Sequence, residues 1–419
     1  DALYVDGQHL YIAIADPSAW FGMNTCLDQE AARRSNSLYF PGRGLPMLPT
    51  ELSNSLCSLL ENKKRLALVC ILTLADDGDI QNYEFKEAVV MSHGKLNYNQ
   101  VSQFIDGQED VVPANLVAPL KALHASTLKL NAHRLKHNLI MDDRPDFYLN
   151  IGESGKVHSI NRVERNAAQK LVEEAMLAAN LSCARFLNDI KSGIFVQHAG
   201  FRTERLGDIK TIIKEQEISF DGKLNTAQGY KELIQEINKT ELELPIKSIL
   251  SRFLTRSEFS DSAAEHAGMG FDCYTTFTSP IRKYCDLVIH RIIKAHLNGQ
   301  KSPAIDTALI GSLQSGLLEG RNAVYQAESW LKLQFLENQT QTQFSATVRQ
   351  INPGGLMVML DDYGIEGFVD LRKCKPKSTF DKTYLTHKNE KFNYQLDKNL
   401  TVKVKSIDLM KRKLELEVV

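Results

Sequence analysis

Residues 274–291 hold the side chains best suited to chemistry on a phosphate group. They begin Tyr-Thr-Thr-Phe-Thr-Ser-Pro-Ile-Arg-Lys-Tyr-Cys-Asp and end, three residues later, in His290 and Arg291. Arg282 is the candidate catalytic cation, because a planar guanidinium binds two phosphate oxygens at once and stabilises charge that grows in a transition state. A Pro-Ile-Arg triplet by itself more often marks a surface arginine, so this assignment depends on the residues around it.

Carboxylates occur in three places where a metal ion could bind, and each place has a simpler interpretation. Residues 76–79, Asp-Asp-Gly-Asp, lack the later ligand spacing of a calcium loop and separate two strand-like segments, which favours a hairpin turn. Asp142 and Asp143, with Asp146 nearby, are better explained as a loop. Asp16 precedes a proline and either caps a helix or contacts residues that bind a metal ion. The cap is favoured.

The composition is that of an ordinary globular protein. The 419 residues are enough for two or more domains, and 43% of them are hydrophobic, which provides a sizeable core. No run of about 18 uncharged apolar residues occurs, so we expect no membrane span. The cysteines are odd in number and form no CxxC pair, which favours reduced thiols in a cytoplasmic protein over a disulfide framework or a zinc site.

Charge is balanced over the whole chain, with 50 Lys and Arg against 51 Asp and Glu. Its distribution is uneven, because the stretch from residue 344 to the end holds 14 basic and 10 acidic residues. A basic small module beside an acidic large one is typical of a nucleic-acid-holding module next to a carboxylate site for metal ions. Chance explains a difference of this size equally well.

The elements that must position Arg282 begin with two hairpins. Residues 2–5 and 9–15 are strand-like and joined by Asp6-Gly7, a strong turn signal. A native domain rarely begins with its first residue already in a core hairpin, so we expect an upstream part to be missing. A second hairpin is predicted from residues 65–74 and 83–91.

Three helices and a barrel follow in the predicted order. Apolar residues recur at helical spacing in residues 112–139, 166–190 and 305–335. After a polar segment at 337–343, the period changes to two, and five short strands suit a small closed barrel of the OB kind, although another small β domain would also fit. The predicted strands are 344–351, 356–360, 365–369, 400–407 and 414–418.

Several of these segments resemble the RNase II/RNase R family, whose catalytic module is the RNB domain. Residues 274–291 are similar to its long signature Y-x-x-[FW]-T-S-P-I-R-[RK]-Y-x-D-x-x-x-H-R. Residues 141–146 are more similar to the RNase II branch than to the RNase R branch. Further similar segments are 13–17, 39–42 with 46–49, 51–53 with 57–59, and 173–180.

The resemblance implies an α+β protein with a large and a small domain. Residues 1–336 would form a mixed α/β RNB catalytic domain, truncated at its N-terminus. Residues 337–343 would be a linker, and residues 344–419 an all-β OB barrel of the S-one RNA-binding type.

The activity implied by the resemblance is processive, hydrolytic degradation of single-stranded RNA from its 3′ end. The products would be nucleoside 5′-monophosphates, and the process would serve mRNA decay and RNA turnover. Two Mg²⁺ ions held by carboxylates would activate water and compensate charge on the phosphate. A cytoplasmic monomer, without a membrane partner, is expected.

The family's site residues carry over one by one. Of four clustered aspartates in a motif ending D-D-A-L, the chain retains the last, Asp1, as metal ligand and catalytic residue. Arg282 would be the catalytic cation, and Tyr39 would stack on nucleotides near the scissile end. Tyr98 and Glu173 would contact the terminal sugar, where a 2′-hydroxyl distinguishes RNA from DNA.

Two positions depart from the family pattern. The second stacking aromatic is replaced by Met141, whose thioether packs on a base but makes a poorer clamp. The acidic position six residues before Trp330 is Val324, to which no role is carried over.

Two alternatives to a nuclease remain open. Because most of the aspartate motif is absent, the chain could be a catalytically inactive RNA-binding relative or an inactive fragment of an active parent. A weaker alternative is an RNA-tethering module that works through the barrel alone. The residues upstream of Asp1 would discriminate between them.

Overall fold

A computed structural model of the protein describes residues 1–140, 143–339 and 342–419. None of the helices in these ranges has the length and apolarity needed to cross a membrane. The α-helices are α1 (Cys26–Arg34), α2 (Tyr98–Ile105), α3 (Ala114–His137), α4 (Ala167–Asp189), α5 (Leu206–Glu215), α6 (Ala227–Lys239), α7 (Ile246–Ser251), α8 (Tyr284–Leu297) and α9 (Thr307–Glu337).

Strands occur in two main groups, one in each half of the molecule. They are β1 (Ala2–Asp6), β2 (His9–Ala15), β3 (Leu38–Phe40), β4 (Arg43–Leu45), β5 (Lys64–Leu74), β6 (Ile80–Met91), β7 (Asp146–Ile151), β8 (Val157–Val163), β9 (Phe195–Gln197), β10 (Glu258–Ser260), β11 (Phe344–Asn352), β12 (Gly355–Leu360), β13 (Ile365–Asp370), β14 (Thr379–Asp381), β15 (Thr386–Lys388), β16 (Asn393–Tyr394), β17 (Asn399–Asp408) and β18 (Lys413–Val418).

A four-stranded antiparallel sheet in the order β1-β2-β5-β6 forms the centre of the first half. Both predicted hairpins are confirmed, since β1 pairs with β2 and β5 pairs with β6. The acidic segment at residues 76–79 is the turn of the second hairpin, as predicted. Gly78 is required there, because its φ is +88° and an added Cβ would lie 2.1 Å from the carbonyl oxygen of Lys129.

Two helices, α4 and α8, share one hydrophobic core with this sheet. α4 begins at a capping box in which the Asn166 side chain accepts from the Gln169 backbone N–H and Gln169 accepts in return. Its buried alanines allow close packing, and nearly all of α8 is buried. The three predicted helices are confirmed as α3, α4 and α9, and α9 continues to Glu337.

A closed five-stranded barrel, β11-β12-β13-β18-β17, forms the C-terminal part. All five predicted strands are present, because their alternating apolar residues fill the barrel interior. The α+β class with a small barrel is therefore confirmed. The separate sheet β14-β15-β16 was not predicted, since its strands are two or three residues long.

A second core joins the barrel to α5, α6 and α7, which precede it in the chain. Polar contacts accompany it: the Tyr384 hydroxyl donates to Glu215 at 2.6 Å, and Thr383 donates to Asp208 at 3.2 Å. The polar segment at 337–343 lies between the end of α9 and the first barrel strand, and its residues 340 and 341 are outside the described ranges. The division into domains at residue 336 stays a prediction.

Candidate active-site cleft

The loop that leads into α8 is fixed by a fully buried carboxylate. Asp286, in the first turn of α8, is 0% exposed. It accepts a hydrogen bond from Thr276 Oγ1 at 2.6 Å and another from the backbone N–H of Ser279 at 2.8 Å. Burying a charged carboxylate without hydrogen-bond partners would be strongly unfavourable, so Asp286 requires these two bonds. The same bonds fix both ends of the segment 276–279.

The same loop is held from a second side by α4. The backbone N–H of Phe277 donates to Asn180 Oδ1 at 2.8 Å, and Asn180 Nδ2 donates to the Tyr274 hydroxyl at 2.9 Å. His290 Nε2–H donates to the Phe277 carbonyl at 3.0 Å, and the two rings stack with centroids 4.8 Å apart. Tyr274, Phe277 and His290 are thus anchors of the loop.

A third anchor ties α8 to α1. The carboxylate of Asp28 is buried and accepts from the Tyr284 hydroxyl at 2.9 Å and from Arg291 Nη1 at 2.6 Å. Burial, together with the Asp28 carboxylate, raises the pKa of Tyr284 to about 12, so the phenol keeps its proton and donates it. Arg291, which ends the sequence signature, therefore has a structural role.

Arg282 differs from these anchors because its side chain is exposed. Within the three described ranges its guanidinium makes no hydrogen bond and no ion pair. Its backbone carbonyl accepts from the Ser37 N–H at 2.9 Å, and Asn36 pairs with Lys283 across an antiparallel bridge. The packed signature thus presents the Arg282 guanidinium, which has no ion pair within the described ranges, beside the segment that leads into β3.

Tyr39 and Arg282 line one cleft of about 450 Å³. Its walls are residues 36–39, residues 282 and 283, and a face of α9 between Leu317 and Glu328. Tyr39 is 59% exposed, so its ring is not packed into the core and has a face free for stacking. A guanidinium and an exposed aromatic ring in one cleft are suited to a nucleotide.

Tyr98 lies on α2, and Glu173 lies on the neighbouring helix α4. Tyr98 is the first residue of α2 and is 51% exposed, and its carbonyl accepts from Asn166, the cap of α4. Glu173, in α4, is ion-paired with Arg165. In the described part of the chain, no hydrogen bond or ion pair joins Tyr98 or Glu173 to Tyr39 or Arg282.

Asp16 does not cap the helical turn that follows it, so that prediction was wrong. Its buried carboxylate instead pairs with Lys294 Nζ at 2.6 Å, accepts from the Ser18 hydroxyl and lies 3.9 Å from His290 Nδ1. Burial opposes the charge, but His290, Lys294 and Ser18 together hold the pKa of this carboxyl well below its ordinary value. A long-range ion pair overrode the local capping preference.

The described residues do not complete a metal site. No group of three or more His, Cys, Asp or Glu side chains among them is arranged to hold an ion. Asp1 is exposed at the start of β1 and makes no described contact with Arg282, while Asp16 is paired with a lysine. The assignment of Asp1 as a metal ligand therefore stays a prediction.

Sequence reasoning named Met141, which lies outside the described residues together with Asp142. It assigned no role to the other cationic and aromatic residues of the cleft wall, which are Lys283, Arg321 and Tyr325. Lys283 is adjacent to Arg282 in the signature. Arg321 and Tyr325 follow Leu317 at steps of four, so the sequence predicts that the three share one helical face. It does not predict which face of this long helix lies next to β3.

Comparison with known proteins covers the whole chain. The profile of the RNB domain matches residues 1–299, and that of the S1 RNA binding domain matches residues 337–418. Exoribonuclease 2 of Klebsiella pneumoniae (strain 342) is 35% identical over 382 residues, covering 88% of this chain and 59% of the relative. Exoribonuclease 2 of Enterobacter sp. (strain 638) is 36% identical with the same coverage.

Among solved structures, RNase R of Mycoplasma genitalium in complex with ribose methylated single-stranded RNA is similar with a TM-score of 0.87 and 25% identity. The match covers 100% of this chain and 68% of that one. The chain spans 59% of the length of the Exoribonuclease 2 relatives it matches.

Proposed function

Because the chain belongs to the family of RNB-domain exoribonucleases, we propose that it is the catalytic part, together with an RNA-binding barrel, of a processive 3′-to-5′ hydrolytic exoribonuclease. It would degrade single-stranded RNA to nucleoside 5′-monophosphates, in mRNA decay and RNA turnover. The observation that carries this proposal is the guanidinium of Arg282, which is unpaired among the described residues and lies, next to a loop fixed by a buried network, in the same cleft as the exposed ring of Tyr39.

In this proposal Arg282 acts on the phosphate that is cleaved. Among the residues that the structure describes, no carboxylate pairs with its side chain, so an anion can bind there without breaking an ion pair. A preorganised donor aimed at developing charge contributes mainly to the transition state, and removing one such donor costs about 10²–10³ in kcat. Arg282 is therefore a catalytic residue by this assignment.

The remaining contacts to the RNA are assigned from the exposure and the chemistry of the side chains. The ring of Tyr39 would stack on a base near the scissile end, worth roughly 1–3 kcal/mol. Tyr98 and Glu173 would contact the terminal sugar; Glu173 would exchange its contact with Arg165 for a ribose hydroxyl. Met141 would be the second stacking residue. The barrel of residues 344–419 would bind RNA further from the site.

Exoribonucleases of this family depend on a metal ion, and we propose Mg²⁺ with Asp1 as one of its ligands. Such an ion would supply charge compensation at the phosphate. By the resemblance to the family's motif of four aspartates, in which Asp1 is the last, the remaining ligands would be the other aspartates of that motif. The location is proposed to be cytoplasmic, because all seven cysteines are free, and the protein is proposed to be a monomer.

The test is incubation of 3′-end-defined, 5′-labelled single-stranded RNA with a longer form of the protein that includes the residues upstream of Asp1, with and without Mg²⁺. The proposal predicts release of mononucleotides from the 3′ end only when Mg²⁺ is present. Internal cleavage would refute the exonuclease assignment, and RNA that is bound but left intact would instead support the non-catalytic relative.

Arg282→Ala in the same protein should lower kcat by about 10²–10³ and change RNA affinity much less. Arg33→Ala is a matched control, because Arg33 is an exposed arginine of α1 outside the cleft. Unchanged kcat in Arg282→Ala would remove this residue from the mechanism.

A further inference from the structure

One face of α9 forms a wall of the cleft opposite the segment that carries Tyr39. The residues that reach the cleft are spaced three and four apart, as one helical face requires. They include Gly320, Arg321, Val324, Tyr325 and Glu328. Sequence reasoning assigned none of them a role.

Two glycines bring this face close to the segment before β3. An added Cβ on Gly316 would lie 2.3 Å from Ser35 Oγ, and one on Gly320 would lie 2.6 Å from Leu38 Cδ2. A larger residue at either position would require the Ser35 or Leu38 side chain, or the helix, to shift. Arg321 follows Gly320 directly and lines the same cleft as Tyr39.

Arg321 has no counter-charge among the described residues. Its side chain is exposed and forms no ion pair with any residue that the structure describes. Glu328, the one carboxylate among the cleft-lining residues, is seven positions away, about 10 Å along the helix axis. Glu366 of the barrel accepts instead from the Tyr325 hydroxyl at 3.0 Å.

The cleft therefore holds three cations, Arg282, Lys283 and Arg321, without an ion pair to any of them in the described ranges. Like charges facing one volume repel, and a bound anion with more than one negative group relieves that repulsion. Val324 adds no charge to the wall. The arrangement suits consecutive phosphates of one strand better than a single small anion.

We propose that Arg321 is a second phosphate-binding residue, which holds the RNA backbone next to the phosphate that faces Arg282. This inference rests on the proposed function, because it assumes that the cleft takes single-stranded RNA. The interaction exists in the bound strand before and during cleavage, so Arg321 contributes to affinity, whereas Arg282 contributes to turnover.

The test is equilibrium binding of a fluorescently labelled single-stranded oligoribonucleotide to the whole chain in EDTA, measured by anisotropy at several salt concentrations. Removing one cation that binds a phosphate of a single strand should lower the slope of log K against log salt by about 0.7. For Arg321→Ala we therefore expect roughly fivefold weaker binding at 0.1 M salt and a slope smaller by about 0.7.

Arg321→Lys keeps the charge and should recover most of the affinity, and Arg33→Ala should bind like the wild type. Circular dichroism checks that each variant keeps its fold. If the wild type binds RNA and Arg321→Ala binds equally well with the same salt slope, this inference is wrong. If the wild type does not bind at all, the proposed function fails. A mononucleotide that competes as well as the oligoribonucleotide would overturn the assignment to a continuous strand.

Discussion

The buried carboxylate of Asp286 offers the sharpest test of how the fold presents Arg282. Asp286→Ala removes an acceptor that is 0% exposed and leaves the Thr276 hydroxyl and the Ser279 N–H without their partner. Hydrogen bonds to a charged group contribute about 1.5–3 kcal/mol each. The loss of two predicts that the free energy of unfolding falls by about 3–5 kcal/mol, a large part of a typical 5–15 kcal/mol.

Asp286→Asn should cost less, because its amide oxygen still accepts one hydrogen bond and the Thr276 hydroxyl can turn to accept from the amide group. We expect a decrease of about 1.5–3 kcal/mol, with the protein still folded. Urea unfolding followed by circular dichroism measures both variants. Asp261→Asn is the control, since Asp261 is exposed.

The same variant tests the link from stability to function. If Asp286 fixes the loop that carries Arg282, Asp286→Asn in the longer, active form should lower kcat while RNA affinity changes little, because a displaced guanidinium no longer meets the transition state. An Asp286→Asn protein as stable as the wild type, within about 0.5 kcal/mol, and with unchanged kcat would refute the reasoning.

Two further predictions concern buried groups. Asp28→Ala leaves Arg291 buried without its carboxylate, so unfolding in urea should show a loss of about 3–5 kcal/mol; a loss below about 1 kcal/mol would contradict the anchor. Burial and the neighbouring His198 lower the pKa of His266 to about 4 from 6.5, so between these values the unfolded chain binds more protons than the folded one. The free energy of unfolding should therefore fall by on the order of 3 kcal/mol as the pH drops from 6.5 to about 4. In His266→Gln, the free energy of unfolding measured in urea should depend less on pH in this range. An unchanged pH dependence would exclude His266 as its cause.

Local patterns were sufficient where a short stretch decides the structure. The barrel strands follow from strict alternation, as in Leu414, Leu416 and Val418, whose neighbours Glu415 and Glu417 face solvent. The start of α4 follows from Asn166 and Gln169, three residues apart. The turn at residues 76–79 follows from the same logic, because its glycine and aspartates favour that backbone locally.

Long-range pairing decided what the local patterns left open. Asp16 looked like a helix cap, but Lys294, 278 residues later, lies at the right distance to pair with it. This partner comes from α8, an element whose position depends on the whole core.

The sequence alone determined the family signature, the order of the two hairpins, three helices and five barrel strands that it predicted, and Arg282 as the residue to examine. Only the tertiary structure showed that most of the signature, including Asp286 and His290, is a scaffold, and that Arg282 shares a cleft with Tyr39 and Arg321. The physical reason is that side-chain chemistry and local propensity are written in neighbouring residues, whereas burial and the partners of a charge depend on elements that meet across the fold.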